Sequence, residues 1–318
     1  MVSDPVPVGG DNHSIEKRNR AGETISLHRR QRIACAFGFK GRLHMEQPKI
    51  YRDSFTVAYY ECDAGKSIKL SYLLRRMQQI ATDHHDLLGL EYRTLYEKHF
   101  VFLLSKLGLD IVRMPMAGER VEMATMAKPL RGPRFIRDCV FTDREGRRLL
   151  RAETVWLLAN PTEHRIYRPS ALPYPIPEVD DGEPVLTPKG RLEPPSPLHI
   201  LGSRPVRFSD IDSNHHVNNA VYADICCDFL PAQWLSQMQP RRFYLHFANE
   251  AYLGETLEIS AASIPRGQVD SFLPGPLSGL EGGAVQGYYL VGEKAAQDGS
   301  HPGERQLGFE GVLIGEML

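Results

Sequence analysis

Three polar side chains at alternate positions, Asp212, Asn214 and His216, are the residues of this sequence best suited to chemistry. Alternate residues of an extended segment point the same way, so the spacing predicts that all three face one cleft. A helical pattern of apolar residues begins near Val217, and a helix N-terminus offers free N–H groups to a developing oxyanion. Asp and Asn are also common helix caps, so the spacing alone is not specific to catalysis.

The elements around this segment follow from the spacing of apolar residues. A strand is predicted over 51–61, then a turn from Asp63, and one long buried helix from about 70 to 88. Four strands follow, at about 100–113, 119–128, 134–143 and 147–160. A second series then predicts a strand over 204–210, a polar turn, a helix from near Val217 to Phe229, and strands at 241–249, 255–264, 284–295 and 306–316.

The two series are similar enough to predict an internal repeat. A shift of 149 residues places Asp63 on Asp212 and reproduces the order strand, turn, helix, strands. The predicted fold class is therefore α+β, with a duplicated unit in which a helix packs on an antiparallel sheet. The same shift places Gly65 and Ser67 opposite the other two candidate residues, so the polar cluster is confined to the second half.

Composition defines the predicted organisation and excludes some functions. We expect a mostly disordered extension over 1–47, a first unit over 48–160, a linker over 161–200 that holds ten of the 23 prolines, and a second unit over 201–318. A net charge of -1 gives no global attraction for nucleic acid, and no apolar run approaches the roughly 20 residues of a membrane span. Five cysteines without a CxxC motif favour a reducing, cytoplasmic location.

The longer string from Phe208 to Tyr222 resembles the active-site segment of the acyl-acyl carrier protein (acyl-ACP) thioesterases of plant plastids and bacteria, and Ala152–Trp156 is similar to a strand of that family. The resemblance implies two tandem hotdog units, each a long helix wrapped by an antiparallel sheet. The first would bind the acyl chain and the second would be catalytic. The implied reaction hydrolyses fatty acyl-ACP in fatty acid biosynthesis, releasing free fatty acid and holo-ACP, without a metal or organic cofactor.

Carried over by motif, the family's catalytic positions are Asp212, Asn214, His216 and, in the first strand after the helix, Glu250. Plant members often have a cysteine just after this glutamate, and Ala251 here excludes a Cys-His mechanism at that position. We expect Glu250 to act as general base toward water with His216, which typically contributes 10²–10⁴-fold. A carboxylate nucleophile that forms an anhydride stays open at this stage.

The family resemblance also implies a tunnel for the acyl chain and a surface that binds the carrier protein. An acyl tunnel in the first unit would be lined by Leu73, Met77, Phe102, Leu104 and Trp156, although each of them fits a core position equally well. The carrier protein is acidic, so we expect it to bind near Arg131–Arg137 and Arg241–Arg242. A homodimer is plausible because hotdog sheets often pair. The alternatives are a hotdog acyl-CoA thioesterase and a non-catalytic protein that binds acyl-pantetheine.

Two further pairs of residues favour structural roles. His84 and His85 are consecutive in the predicted first helix and cannot face one metal ion, so a capping or surface role is expected. Cys226 and Cys227 lie within the second predicted helix, where free cysteine usually behaves as a small buried apolar residue.

Overall fold

A computed structural model describes residues 48–163, 165–275, 284–295 and 305–318 of the chain. Ten strands form one antiparallel sheet in the order β1-β3-β4-β5-β2-β7-β10-β9-β8-β6. Their bounds are β1 Ile50–Thr56, β2 Val101–Ile111, β3 Arg120–Arg131, β4 Arg134–Thr142, β5 Arg148–Ala159, β6 His199–Pro205, β7 Met238–Phe247, β8 Thr256–Ile264, β9 Val285–Ala295 and β10 Arg305–Met317. The predicted extension over 1–47 lies outside the described residues.

Five α-helices are present in the described ranges: α1 Leu70–Leu87, α2 Tyr92–Glu97, α3 Val221–Phe229, α4 Ala232–Ser236 and α5 Val269–Phe272. The long first helix was predicted correctly, and it buries the apolar stripe from Leu70 to Ala81. Within these ranges no helix is both long enough and apolar enough to span a membrane.

The backbone confirms the predicted repeat, with the predicted shift of 149 residues. Isolated bridges join Cys62 to Ile68 in the first half and Ile211 to Val217 in the second. Each bridge follows a short 3₁₀ helix and encloses a tight turn with one residue of positive φ, Lys66 at 65° and the matching His215 at 67°. The two turns therefore have the same backbone conformation and different side chains.

Two predicted elements of the second half were wrong. The predicted strand over 204–210 is β6 followed by a 3₁₀ helix over Phe208–Asp210. The helix expected from near Val217 begins at Val221, because the N–H groups of Val217 and Asn218 bond to the carbonyls of Ala251 and Asp210 instead. Helix α3 therefore has 9 residues, whereas α1 has 18.

Both helices pack on one face of the sheet, where a single core joins residues of the two halves, including Leu73, Phe141, Phe243 and Leu313. Alternate residues of the central strands point to the other face, where Tyr244 and Val312 belong to a second apolar cluster. As predicted, Cys226 is fully buried in the core, and burial raises the pKa of its thiol.

The proline-rich segment crosses this second face of the sheet and is anchored to it by buried charges. Lys106 Nζ donates to the carbonyl of Pro188 at 2.9 Å, and Arg151 Nη1 donates to the carbonyl of Pro184 at 2.7 Å. Gly108 makes room for the crossing, because a Cβ at that position would lie 2.9 Å from the carbonyl oxygen of Leu186. We call residues 183–192 the strap.

Candidate active site

The segment that carries the three candidate residues is a tight turn, which corrects the extended conformation predicted for it. The N–H of Asp212 donates to the carbonyl of His216 at 3.0 Å, and the N–H of His215 donates to the carbonyl of Asp212 at 3.1 Å. Asp212 also accepts the N–H of Asn214 at 2.8 Å through Oδ1. The turn keeps Asp212 and His216 on the same side and leaves His215 exposed.

A second backbone contact brings Glu250 to this turn. His216 forms an antiparallel bridge with Tyr252, and the N–H of Val217 donates to the carbonyl of Ala251 at 2.9 Å. Glu250 was expected within a strand, but it follows the end of β7 at Phe247. Its position next to His216 therefore depends on the bridge and not on the register of the sheet.

The imidazole of His216 lies between two carboxylates. Its Nδ1 is 3.8 Å from Oδ1 of Asp212, and its Nε2 is 3.8 Å from Oε1 of Glu250. These distances are too long for direct hydrogen bonds, but they leave space for a bridging water. The side chains of Asp212 and His216 are each 18% exposed and that of Glu250 is 42% exposed, so the cluster opens to solvent on the Glu250 side.

Asn214 is held from the other half of the chain. The hydroxyl of Tyr92, in α2, donates to Asn214 Oδ1 at 3.1 Å. Because Oδ1 accepts this bond, the Nδ2 amide is the part of the Asn214 side chain left to donate a hydrogen bond to a ligand. Partial burial raises the pKa of Tyr92, with smaller contributions from Tyr96 and Asp212, so its hydroxyl stays protonated as a donor at neutral pH.

Glu250 has its own supports. The hydroxyl of Tyr252 donates to Glu250 Oε2 at 2.5 Å, and this hydrogen bond is the largest cause that raises the pKa of Tyr252 to about 12. The buried Lys294 donates to the backbone carbonyl of Glu250 at 2.6 Å and to the carboxylate of Glu255 at 3.0 Å. One carboxylate oxygen is thus fixed by Tyr252, while Oε1 faces His216.

Sequence reasoning missed both tyrosines. Tyr252 carried a weak signal, since it lies two residues after Glu250 and alternate residues of an extended segment share a side. Tyr92 carried none, because its contact with Asn214 spans 122 positions of the chain.

The predicted source of oxyanion stabilisation also needs correction. The backbone N–H of Val217 already donates within the protein, and so does that of Asn218. Helix α3 begins at Val221, where the N–H of its cap residue Ala220 is bonded to Asn218 Oδ1 at 2.9 Å. The side-chain amide of Asn214 is therefore a better candidate donor to an oxyanion than the residues thought to begin the helix.

The first half shows what the same turn looks like without these groups. There the bridge joins Ser67 to Met116, and the N–H of Ile68 donates to Pro115, which matches the bonds of His216 and Val217. The positions that match His216, Glu250 and Tyr252 are thus Ser67, Met114 and Met116. Asp63 alone repeats a member of the cluster, and it closes its own turn by accepting the N–H of Ser67. The turn therefore folds without the imidazole and the second carboxylate.

Two cavities lie along α1, on the face of the sheet that the helices cover. The first encloses about 380 Å³, counting its open mouth, and extends from Met77 and Leu104 to Asn219 of the second half. The second has about 350 Å³ of empty space, also counting its opening to solvent, and includes Phe102. Trp156 lines both. Four of the five residues predicted to line an acyl tunnel therefore border empty space, whereas Leu73 lines neither cavity and is fully buried in the core.

The basic residues expected to receive a carrier protein are mostly unavailable. Arg241 and Arg242 are buried and bind Glu316 and Asp110. Arg137 is buried too, and Arg131 is bound to Glu153. The Arg241–Arg242 part of this prediction was wrong, because both side chains are buried within the sheet and paired with carboxylates.

The two adjacent histidines also differ from expectation. His84 is completely buried, with Nε2 2.9 Å from the carbonyl of Pro48 and Nδ1 3.0 Å from Nη1 of Arg137. A capping or surface role for His84 was therefore wrong. His85 lines the second cavity.

Comparisons with known proteins agree with this architecture. Residues 48–170 match the model of the acyl-ACP thioesterase N-terminal domain, and residues 201–284 match that of the C-terminal domain. Together these matches span most of the described chain, and the chain belongs to the acyl-ACP thioesterase family. Its α+β fold of two tandem hotdog units is the fold of that family.

Individual relatives are distant. The chain is 25% identical over 232 residues to a chloroplastic acyl-[acyl-carrier-protein] hydrolase of Cuphea viscosissima, a match that covers 69% of this chain and 56% of the relative. The chain thus spans about half the length of the curated relatives it matches. An acyl-ACP thioesterase structure from Bacteroides thetaiotaomicron superposes with a TM-score of 0.69 at 20% identity, over 84% of this chain and 98% of that one. A putative oleoyl thioesterase from Lactobacillus plantarum gives 0.67 at 24% identity, over 85% and 96%.

Proposed function

We propose that this protein hydrolyses acyl-ACP thioesters, releasing a free fatty acid and the carrier protein's thiol in fatty acid biosynthesis. The observation that carries the proposal is the cluster of Asp212, Asn214, His216 and Glu250 around one turn, set against a matching turn in the first half that keeps only the aspartate. If these side chains served only to fold the turn, the matching turn of the first half would be expected to carry them as well. Family membership and the two cavities beside α1 support an acyl substrate.

The proposed mechanism uses the order of groups around His216. A water between His216 and Glu250 attacks the thioester carbonyl as Glu250 takes its proton, and the C–S bond then breaks with return of a proton to the thiolate. Asn214 Nδ2 donates a hydrogen bond to the carbonyl oxygen as negative charge develops there. This hydrogen bond stabilises the transition state. Asp212 holds the turn and faces Nδ1 of His216. A thioester is activated enough to need no cofactor in this scheme.

The test is release of free fatty acid from a panel of acyl-ACP substrates of about C8 to C18, with the same acyl groups on coenzyme A as comparison. We expect hydrolysis of the carrier-protein thioesters at the higher kcat/KM. Preference for coenzyme A would favour the acyl-CoA thioesterase. Tight binding of folded protein to every thioester without hydrolysis would favour a non-catalytic binding protein. The cytoplasmic location and the homodimer stay predictions, and size-exclusion chromatography with light scattering tests the dimer.

Replacement of Tyr92 by phenylalanine tests whether the first half positions the catalytic amide. Loss of one hydroxyl removes the bond to Asn214 Oδ1, and a single hydrogen bond of about 1 kcal/mol corresponds to roughly a fivefold loss of kcat. Tyr96→Phe is the matched control, because Tyr96 stacks on Tyr92 at 5.8 Å within the same helix. Equal kcat values for the two variants would mean that Tyr92 does not position Asn214.

A further inference from the structure

A buried arginine stands where the two cavities meet. Arg137, on β4, is 6% exposed and lines both the first and the second cavity, as does Trp156. Its neighbours Asp138 and Cys139 show the alternation of the strand, since Cys139 also faces the first cavity and Asp138 faces the strap side. A guanidinium is an unexpected lining group for a cavity that would hold only an alkyl chain.

The partners of this guanidinium are neutral. Its Nη1 lies 3.0 Å from His84 Nδ1 and 3.2 Å from Thr125 Oγ1. The carbonyl of Pro48 can only accept, so His84 carries its proton on Nε2 and accepts at Nδ1. Burial is the largest cause that lowers the pKa of His84, which keeps it neutral. Thr125 donates its own proton to the carbonyl of Asp138, so it also accepts from Arg137.

The other buried arginines of the described chain are all neutralised. Arg151 binds Asp138 at 2.7 Å, Arg241 binds Glu316 at 2.5 Å, and Arg242 binds Asp110 at 3.3 Å. Among the described residues, no carboxylate lies within ion-pair distance of Arg137. Burial lowers the pKa of Arg137 to about 10, so the group remains charged at neutral pH.

Arg137 has donors to spare on the cavity side. Its two side-chain hydrogen bonds within the described part of the chain both come from Nη1, which leaves the N–H groups on Nε and Nη2 for an occupant of the cavities. Other charged groups around the second cavity do not compete for that occupant: Lys128 binds Asp181, and burial lowers the pKa of His85 to about 3. Glu178 is the one carboxylate among the described residues that line this cavity, and its side chain is exposed to solvent.

An unsubstituted alkyl chain would remove water from these donors and replace none of its hydrogen bonds, which is costly for a buried charge. We propose that the substrate acyl chain carries an oxygen acceptor remote from the thioester, such as a hydroxyl, a keto oxygen or a carboxylate, and that this oxygen accepts hydrogen bonds from Arg137. This inference rests on the proposed function, because it assigns the substrate class of the same site.

The experiment compares thioesters of one chain length that differ only in the substituent: none, a hydroxyl placed at successive carbons, or a terminal carboxylate. A hydrogen bond to a charged group is worth about 1.5–3 kcal/mol, so we expect at least one oxygenated chain to show a kcat/KM about 10- to 100-fold above the unsubstituted chain. The carbon that gives the maximum is the one that Arg137 reaches. A kcat/KM that is higher for the terminal carboxylate than for any hydroxyl would identify an ion pair with Arg137.

Two variants assign the preference to Arg137. Arg137→Met keeps an unbranched side chain without donors and should abolish the preference, so that the ratio of kcat/KM between oxygenated and unsubstituted chains falls to about one. Arg137→Lys keeps the charge and should retain part of the preference. Circular dichroism checks that both fold. The wild-type comparison needs no variant, so it holds even if Arg137→Met fails to fold. A wild-type protein that prefers the unsubstituted chain at every position overturns the inference, as does a preference that survives in Arg137→Met.

Failure of the proposed function is distinguishable from failure of this inference. If no thioester is hydrolysed, binding of the same intact thioesters is measured by the fluorescence of Trp156, which lines both cavities and is one of two tryptophans. Tighter binding of an oxygenated chain, lost in Arg137→Met, would support the substrate class without catalysis. Equal binding of all chains would overturn it.

Discussion

Glu250→Gln is expected to lower kcat by about 10²–10⁴-fold, the usual contribution of a general base. Glutamine keeps the size of the side chain and still accepts the hydrogen bond from Tyr252, but it cannot take a proton from water. The side chain of Glu250 is 42% exposed, so folding should be unchanged. The measurement is steady-state hydrolysis of acyl-ACP, together with the thermal unfolding midpoint of both proteins.

Glu145→Gln provides the matched control, because it makes the same chemical change in the exposed turn between β4 and β5. Activity of Glu250→Gln within twofold of wild type would remove Glu250 as the base and direct attention to Asp212. A single turnover in ¹⁸O-water tests for a nucleophilic Glu250 whose anhydride is opened by water at the glutamyl carbon, since attack at the acyl carbon would place the label in the fatty acid instead. Recovery of the label in the Glu250 carboxylate would show a covalent anhydride, whereas the general-base mechanism leaves the enzyme unlabelled.

Arg151→Met is expected to destabilise the protein by about 3–5 kcal/mol, the usual cost of removing one partner of a buried ion pair. Arg151 is 2% exposed, bonds to Asp138 through Nε at 2.8 Å, and holds the strap through the carbonyl of Pro184. The buried carboxylates of Asp138 and Glu153 would both lose a neighbouring cation. Urea denaturation measures the change in the free energy of unfolding.

The loss of stability caused by Arg151→Met should increase with pH. Burial raises the pKa of Asp138 to about 6, against the opposing effect of Arg151, so its proton is bound more tightly in the folded than in the unfolded state. Ionisation of Asp138 therefore lowers the free energy of unfolding as pH rises from about 4 through 6. The decrease is larger in the variant, because it lacks the cation that offsets the buried negative charge. Destabilisation by Arg151→Met should be larger at pH 8 than at pH 5.

Arg148→Met is the control, because it removes an exposed cation from the same strand. Arg148 pairs with Glu183 and its side chain is 41% exposed. Exposed pairs contribute about 0–1 kcal/mol, so this variant should lose little stability. The double variant Arg151→Met with Asp138→Leu should recover much of the stability, because it removes the stranded charge. A loss independent of pH and not recovered by the double variant would mean that strap packing, not the ion pair, is what Arg151 supplies.

Much of the fold was predictable because its signals are local and repeated. Helix α1 and the strands β2 to β5 have strong apolar periodicity, and their predicted bounds agree with the structure within a few residues. The shift of 149 residues placed Asp63 on Asp212, and the matching backbone bridges confirm it. The candidate site was predictable only through the family motif, since capping explains the spacing of its residues equally well.

The remaining features depend on contacts between distant parts of the chain. Tyr92 reaches Asn214 through the packing of α2, which no local pattern encodes. Helix α3 starts late because the backbone of Val217 bonds to Ala251, a competition that apolar spacing does not register. Arg241 and Arg242 looked like a surface patch because adjacent charges are usually solvated, yet both are buried in a central strand and paired with Glu316 and Asp110.

The order of strands has a consequence for synthesis on the ribosome. Strand β10, the last of the ten in sequence, lies inside the sheet between β7 and β9, and Glu310 within it also accepts the N–H of Leu192 in the strap at 3.4 Å. At about 5–20 residues per second, β7 is made several seconds before β10 and β9 only about one second before it, and until then the edges that pair with β10 are open. The second half of the chain can therefore complete its sheet only once β10 has left the exit tunnel, and until then its open edges are the region of the nascent chain most in need of a chaperone.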